Sequence, residues 1–414
     1  MGFVDIAIEK WGLRAIVDAD VRRSFAAKKP PAFLDVKTAR RARKFHQSLP
    51  GYKPTPLNNL SNLARELGVG NIYVKDESAR FGLNAFKVLG SSYALGKLIG
   101  QRLGMEDEEL TFAHLCSQGI RKKLGRVTFA TATDGNHGRG VAWTAQQLGQ
   151  PAVVYLPRGV ARYRVEAIEE TGAKAVVTDV NYDDTVRLIV KTAEEKGWQL
   201  VQDTAWEGYE EIPRWIMQGY TTMAVEIDDQ LEDFGLPRPT HVFLQAGVGS
   251  FASTILGYFV NRDGEEYPRT IIMEPEKAAC IFASALAGKE EPQRVTGDLT
   301  TIMAGLSCGE PSPLAWNIIH SFADGYVVCP DYVAAQGTRI LAHPLGDDQR
   351  LVAGESGSVG MGLLSLLFSK RECAQLKERL GLDESSSVLL INTEGDTDPV
   401  NYRHILWDGK YPLP

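Results

Sequence analysis

The chain has no long apolar run, no block of basic residues and no paired cysteine motif, and each absence removes a class of function. A membrane-crossing helix needs about 18 or more consecutive apolar residues, and no segment comes near that. Acidic residues outnumber basic ones and the net charge is −7, so nucleic acid and anionic membranes are not expected as partners. The five cysteines, Cys116, Cys280, Cys308, Cys329 and Cys373, include no C-x-x-C pair, which argues against a zinc site or a thioredoxin-like motif, and no metal is expected. An odd, scattered set suits reduced thiols, although the sequence leaves a Cys280–Cys308 bridge open. The N-terminus carries Asp5, Glu9 and Lys10 where a secretion signal has its apolar core. Ile6 stands where a myristoylation signal wants Ser or Thr. A cytoplasmic protein is expected.

What is present is an ordinary globular composition, 44% apolar and 23% charged over 414 residues, enough for two or three domains at roughly 150 residues each. Apolar, β-branched runs at 126–131, 151–156, 173–178, 241–246, 270–274 and 387–393 predict strands. Helix-like stretches follow the first four, at 138–148, 163–171, 185–196 and 251–260. Such alternation argues for an α/β fold built on largely parallel sheets. The spacing suggests a large domain of residues 1–88 and 206–414 with a small α/β domain, 89–205, inserted into it. The first fifty or so residues read as an arm before the main fold, and 106–118, which opens on an acidic run, as a loop or insertion.

Three segments carry chemistry. In Asn84-Ala85-Phe86-Lys87-Val88-Leu89-Gly90-Ser91-Ser92 one lysine lies among small and apolar neighbours. Desolvation lowers a lysine pKa, and a neutral amine is what a Schiff base with an aldehyde requires. Taken alone, such a lysine can equally lay its stem over a surface apolar patch. The second segment, Gln245-Ala246-Gly247-Val248-Gly249-Ser250-Phe251-Ala252, follows a strand and opens a helix, an arrangement that presents free N–H groups to a phosphate. It also fits the dinucleotide pattern G-x-G-x-x-A, with Glu274 ending the next strand 27 residues after Gly247, against an expected spacing of about 20. A nicotinamide-dependent oxidoreductase is therefore a rival on this motif, and a ligand-free strand–helix turn is a third reading.

The third segment, Thr131-Ala132-Thr133-Asp134-Gly135-Asn136-His137-Gly138, ends a strand and opens a helix. Consecutive N–H groups at Gly135 and Asn136 would form an anion nest for a substrate carboxylate, with Asp134 at its lip. Asp and Asn are also ordinary turn and cap residues. A further carboxylate, Asp203, lies in Gln202-Asp203-Thr204-Ala205-Trp206 near the inferred domain junction. Apolar surroundings there would raise its pKa toward that of a general base, while an isolated Asp can equally be a cap or an ion-pair partner.

In their order along the chain, these motifs resemble the fold type II, or tryptophan synthase β-like, family of pyridoxal-phosphate enzymes, which also includes threonine dehydratase and cysteine synthase. The pattern begins with Lys53-Pro54-Thr55-Pro56-Leu57 and Tyr73-Val74-Lys75-Asp76-Glu77 before the lysine segment. It closes with Glu355-Ser356-Gly357 and Asn392-Thr393-Glu394-Gly395, and so spans about residues 52–397. The resemblance implies two open twisted α/β domains with the active site in the cleft between them. It implies pyridoxal 5'-phosphate held by Lys87, its phosphate by Gly247, Val248, Gly249 and Ser250, its ring oxygen by Asn136 and its ring nitrogen by Thr393. The family is commonly dimeric, so a homodimer is expected.

Within the family, Arg80–Lys87, Gln202–Trp206 and Thr296–Leu306 are most similar to ammonia-lyases acting on 2,3-diaminopropionate. Dehydratases usually carry Ser where this chain has Asp134. The implied chemistry is an α,β-elimination with Lys87, Asp134 and Asp203 catalytic, Asp203 serving the L-substrate and Asp134 the D-substrate. Thr133, Asp134, Gly135 and His137 would bind the substrate. A serine/threonine dehydratase of the same fold is the nearest alternative.

Overall fold

Strands buried on both faces of a parallel sheet read as unbroken apolar runs, and the six runs named above all form strands. The computed structural model describes residues 3–18, 20–288 and 290–414. Its strands are β1 (Phe3–Ile8), β2 (Leu13–Asp18), β3 (Leu57–Asn59), β4 (Asn71–Asp76), β5 (Phe129–Ala132), β6 (Ala152–Leu156), β7 (Lys174–Val177), β8 (Gln199–Leu200), β9 (His241–Gln245), β10 (Arg269–Pro275), β11 (Gly325–Cys329) and β12 (Ser387–Asn392). The predicted helices also form, as Asn136–Leu148, Arg162–Glu169, Tyr182–Lys196 and Ser250–Asp263.

Two compact units result, one of residues 1–35, 55–79 and 226–414, the other of 36–54 and 80–225. The larger holds an eight-stranded sheet in the order β1-β2-β11-β10-β9-β12-β4-β3. Its five central strands, β11 to β4, run parallel, and the strands beyond them at either edge pair antiparallel. The smaller holds a parallel four-stranded sheet, β7-β6-β5-β8. Segments 36–54, 80–88 and 206–225, which the sequence spacing joined to the large domain, fall in the smaller unit. The reason is visible at Gly96, where the ring of Phe45 from helix Val36–Gln47 fills the space a Cβ would take, 2.7 Å away.

The N-terminal segment is not an arm. β1 and β2 form a hairpin, and β2 continues the sheet by pairing antiparallel with β11. Alternation in a six-residue strand, with Ile6 and Ile8 buried and Asp5 outward, is a weak signal beside the long buried runs. The stretch expected as a loop, 106–118, contains the short helix Phe112–Leu115, whose terminal apolar residues are buried. No helix of the described residues is long and apolar enough to cross a membrane.

Two motifs that carried the resemblance turn out to hold the core of the larger unit. Lys75, on β4, is fully buried and donates to Glu226 Oε2 at 2.6 Å, Thr55 O at 2.7 Å and Gln230 Oε1 at 2.9 Å. Thr55 in turn donates its hydroxyl to the buried Glu77 at 2.5 Å. Lys75 thereby ties β4 to the segment before β3 and to the helix Glu211–Asp233. Removing one member of such a network leaves buried charge uncompensated. Lys75→Met is therefore expected to destabilise the protein by about 3–5 kcal/mol in denaturant unfolding; an unchanged midpoint would mean that the network contributes nothing.

Candidate active site

Parallel strands present their functional residues at their C-terminal ends, and each unit follows this rule. In the smaller unit the Thr133–Gly138 turn follows β5 and Asp203 follows β8, and these strands are neighbours. Both aspartates therefore come from adjacent strand ends. In the larger unit the glycine loop follows β9 and Thr393 follows β12, again neighbours.

Lys87 precedes the helix Val88–Leu103. The chain reaches it through left-handed backbone at Phe81 (φ 51°) and Asn84 (φ 60°), a conformation costing about 1–2 kcal/mol per residue with a Cβ. Strain of this kind clusters at functional positions. Lys87 Nζ donates to Asp203 Oδ2 at 2.5 Å, with side chains 19% and 5% exposed. Burial pulls the Lys87 pKa down, as the sequence suggested, but Asp203, with Tyr220 and Asp134 also contributing, outweighs it and the pKa is raised. In the cofactor-free protein Lys87 is an ammonium. Burial pushes Asp203 up, yet His137 and Lys87 bring it below the usual carboxylate range. The expected raised base is thus held down by the lysine it serves.

Asp203 is fixed by its neighbours. Gln202 accepts from Thr131 Oγ1 and Ala132 N, both at 3.0 Å, and donates to Ala132 O and Tyr182 Oη at 3.1 Å. Trp206 stacks on Tyr209 with centroids 4.2 Å apart. The Tyr209 hydroxyl accepts from Gln202 N and donates to Leu200 O. His137, 1% exposed, bonds Val201 O through Nε2 at 2.9 Å. Since a carbonyl only accepts, Nε2 carries the hydrogen and Nδ1 is a bare lone pair. That nitrogen has no hydrogen-bond partner among the described residues and lies 3.9 Å from Asp203 Oδ2. Burial lowers the His137 pKa and favours the neutral ring, with Asp203 opposing it.

Asp134 has a partner that sequence reasoning missed. The buried Arg164, from helix Arg162–Glu169, donates Nη1 to Asp134 O and Oδ2, each at 3.2 Å. Nothing in its local sequence marks Arg164; it is placed by the strand–helix crossover after β6. Thr133 organises the turn from within, its Oγ1 accepting from Gly135 N at 2.9 Å and Gly138 N at 3.0 Å. The Gly135 amide is thus spent inside the turn. Asn136 is the first residue of its helix.

In the larger unit, a Cβ at Gly247 would lie 3.2 Å from Gly305 O, Leu306 Cα and Cys308 Sγ, and Gly249 adopts φ +96°. Val248 lies between them, and Ser250 begins a fourteen-residue helix whose N-terminal amides suit a phosphate. Cys280 Sγ lies 3.7 Å from Gly247 O, and neither Cys280 nor Cys308 is in a disulfide. Thr393 Oγ1, 5% exposed, accepts from Gln245 Nε2 at 3.0 Å. Glu274, the carboxylate that the nicotinamide reading reserves for a ribose, instead accepts from Ile281 N at 2.8 Å and Phe282 N at 2.6 Å. It caps the helix Cys280–Ala287, and a capping carboxylate buried to 1% exposure cannot also bind a ribose, so the oxidoreductase alternative falls.

The comparisons with known proteins agree with this chemistry. A diaminopropionate ammonia-lyase of Escherichia coli K12 is 50% identical over 397 residues, covering 96% of this chain and 98% of that protein. One from Salmonella typhimurium is 52% identical over 367 residues, covering 88% and 91%. The crystal structure of the Escherichia coli enzyme in complex with an aminoacrylate-PLP azomethine reaction intermediate aligns with a TM-score of 0.88 at 46% identity, covering 97% of this chain and 98% of that one. Residues 48–394 match the model of the pyridoxal-phosphate dependent enzymes, and the chain belongs to that family.

Proposed function

We propose that the protein eliminates ammonia from 2,3-diaminopropionate, giving pyruvate and two ammonia with uptake of one water. The observation that carries this reading is a largely buried primary ammonium, that of Lys87, paired with Asp203 at 2.5 Å and also in the field of Asp134. Once Lys87 is tied to a cofactor its ammonium is gone and Asp203 has lost its cation. A substrate with a second ammonium restores that charge; serine and threonine cannot. At an effective dielectric near 20, a pair ~4 Å apart is worth about 4 kcal/mol before desolvation is subtracted, enough to favour a diamine over a hydroxy amino acid. The high identity to ammonia-lyases of that name supports the same reading.

The donor set fits pyridoxal phosphate. Lys87 would attach it, the glycine-shaped turn Gly247, Val248, Gly249 and Ser250 would receive the phosphate, and Asn136 would bond the ring oxygen. Thr393, which accepts from Gln245, keeps its own hydroxyl hydrogen for the ring nitrogen and leaves that nitrogen unprotonated. When bound, the cofactor withdraws electrons from the substrate Cα, so that the α-proton and then the β-amine can leave. Asp203 would take the proton from the L-isomer and Asp134 from the D-isomer, and the β-nitrogen, held as an ammonium, would leave directly as ammonia. The turn from Thr133 through Gly135 to His137 would hold the substrate. The reading extends to a cytoplasmic homodimer.

Two measurements test this. Purified protein with pyridoxal phosphate should absorb in the visible range and change spectrum on adding 2,3-diaminopropionate, and Lys87→Ala should lose both the band and the turnover. Asp203→Asn should slow the L-isomer roughly 10²–10⁴-fold, as expected for loss of a general base, with the D-isomer largely spared, and Asp134→Asn should do the reverse. Equal losses on both isomers in both variants would sink the isomer assignment.

A further inference from the structure

Two buried polar atoms flank the Lys87–Asp203 pair with no hydrogen bond among the described residues, the Tyr220 hydroxyl and His137 Nδ1. Tyr220 is fully buried, on the helix Glu211–Asp233. Its ring is clamped against Phe86, with centroids 4.7 Å apart, and against the backbone of the helix that Lys87 opens. A Cβ at Gly90 would lie 2.5 Å from Tyr220 Cε1, and one at Gly219 would lie 2.3 Å from Leu89 O. Two glycines, one on each helix, therefore permit the crossing that brings Tyr220 beside the lysine. Lys87 Nζ stands 6.0 Å from the Tyr220 ring centroid. The hydroxyl lies near enough to the ammonium for a weak side-chain interaction with it, yet outside the geometry of an ordinary hydrogen bond. A buried hydroxyl without a partner is costly, and a crossing this close has no need of one, since Phe would fill the same space.

We infer that Tyr220 is a positioning residue whose hydroxyl receives the Lys87 amine when Asp203 gives that amine up. The inference rests on the reading of Asp203 as the base for the L-isomer. While Lys87 donates to Asp203 at 2.5 Å, the carboxylate is a poor proton acceptor. Wherever Lys87 is a free amine beside a working Asp203, it would need somewhere else to donate, or it would re-form the pair and quench the base. The Tyr220 oxygen is a buried acceptor already turned toward it. The other half of the pair is provided for in the same way. Asp203, once protonated, has an O–H to donate, and the bare lone pair of His137 Nδ1 lies 3.9 Å from its Oδ2. The titratable groups around Lys87 are Asp203, Asp134, His137 and Tyr220, and of these Tyr220 and His137 hold capacity that the resting pair leaves unused.

Tyr220→Phe tests this, because it removes the oxygen and keeps the ring. In the cofactor-free protein the variant should melt at the wild-type temperature or above it, since an unpaired buried hydroxyl has been removed. With cofactor, kcat on the L-isomer should fall roughly tenfold or more, in line with loss of one hydrogen bond of about 1.4 kcal/mol in the transition state. The acid limb of its pH–rate profile should shift, and the D-isomer should be little affected. A lowered melting temperature with equal losses on both isomers would show a structural role and overturn the inference. Full L-activity in Tyr220→Phe beside a dead Asp203→Asn would overturn it while leaving the assigned base standing. Full L-activity in Asp203→Asn would overturn both.

Discussion

A largely buried ammonium on a buried carboxylate, Lys87 on Asp203, is the constraint around which the smaller unit is arranged. Taking both charges out of water costs several kcal/mol per ion, and their attraction at an effective dielectric near 20 repays about that much. The pair therefore adds little net stability, and its retention has to be explained by chemistry. The surroundings bear this out. Left-handed residues deliver the lysine, a stacked Trp206–Tyr209 turn fixes the aspartate, and a glycine-to-glycine helix crossing sets Tyr220 beside them.

The pair also changes the meaning of the lysine pKa. Apolar neighbours in the sequence predicted a depressed value, as a nucleophilic amine wants. The folded chain opposes that desolvation with Asp203 and leaves the amine protonated until something neutralises the carboxylate or takes its place. Activation then depends on ligands rather than on burial alone. A ligand that brings its own ammonium is the natural substitute, which links the choice of a diamine substrate to the resting state of the enzyme.

How much of this was legible in the chain depends on range. The apolar runs and the helices after them could be read because burial on both faces leaves a continuous signal in most of the strands, the edge strand Lys174–Val177 being carried by its β-branched residues instead. The β1–β2 hairpin could not, because a short strand with Asp5 facing out resembles a solvated arm, and its place is set by β11, more than three hundred residues away. Lys87, Asp134, Asp203 and the glycine loop stood out because each sits in a local motif at a strand or helix end. Arg164 and Tyr220 did not, because each lies inside a helix and acquires its neighbour through tertiary packing. Lys75 and Thr55 lay in recognisable motifs whose purpose, a buried network beneath the sheet, shows only once Glu226 is brought to them.

The two aspartates differ in the permanence of their partners. Arg164 cannot lose its proton under any condition the protein meets, so the Asp134 carboxylate has a permanent cation beside it. The cation of Asp203 is Lys87 itself, the residue that would hold the cofactor. Asp134 thus has a steady partner, and Asp203 one that would depend on the state of the lysine. The two carboxylates are therefore not equivalent even with identical side chains. The one beside the lysine is tied to each turnover, and the groups around it, Tyr220 and His137, are those with hydrogen-bonding capacity left to spend when it changes.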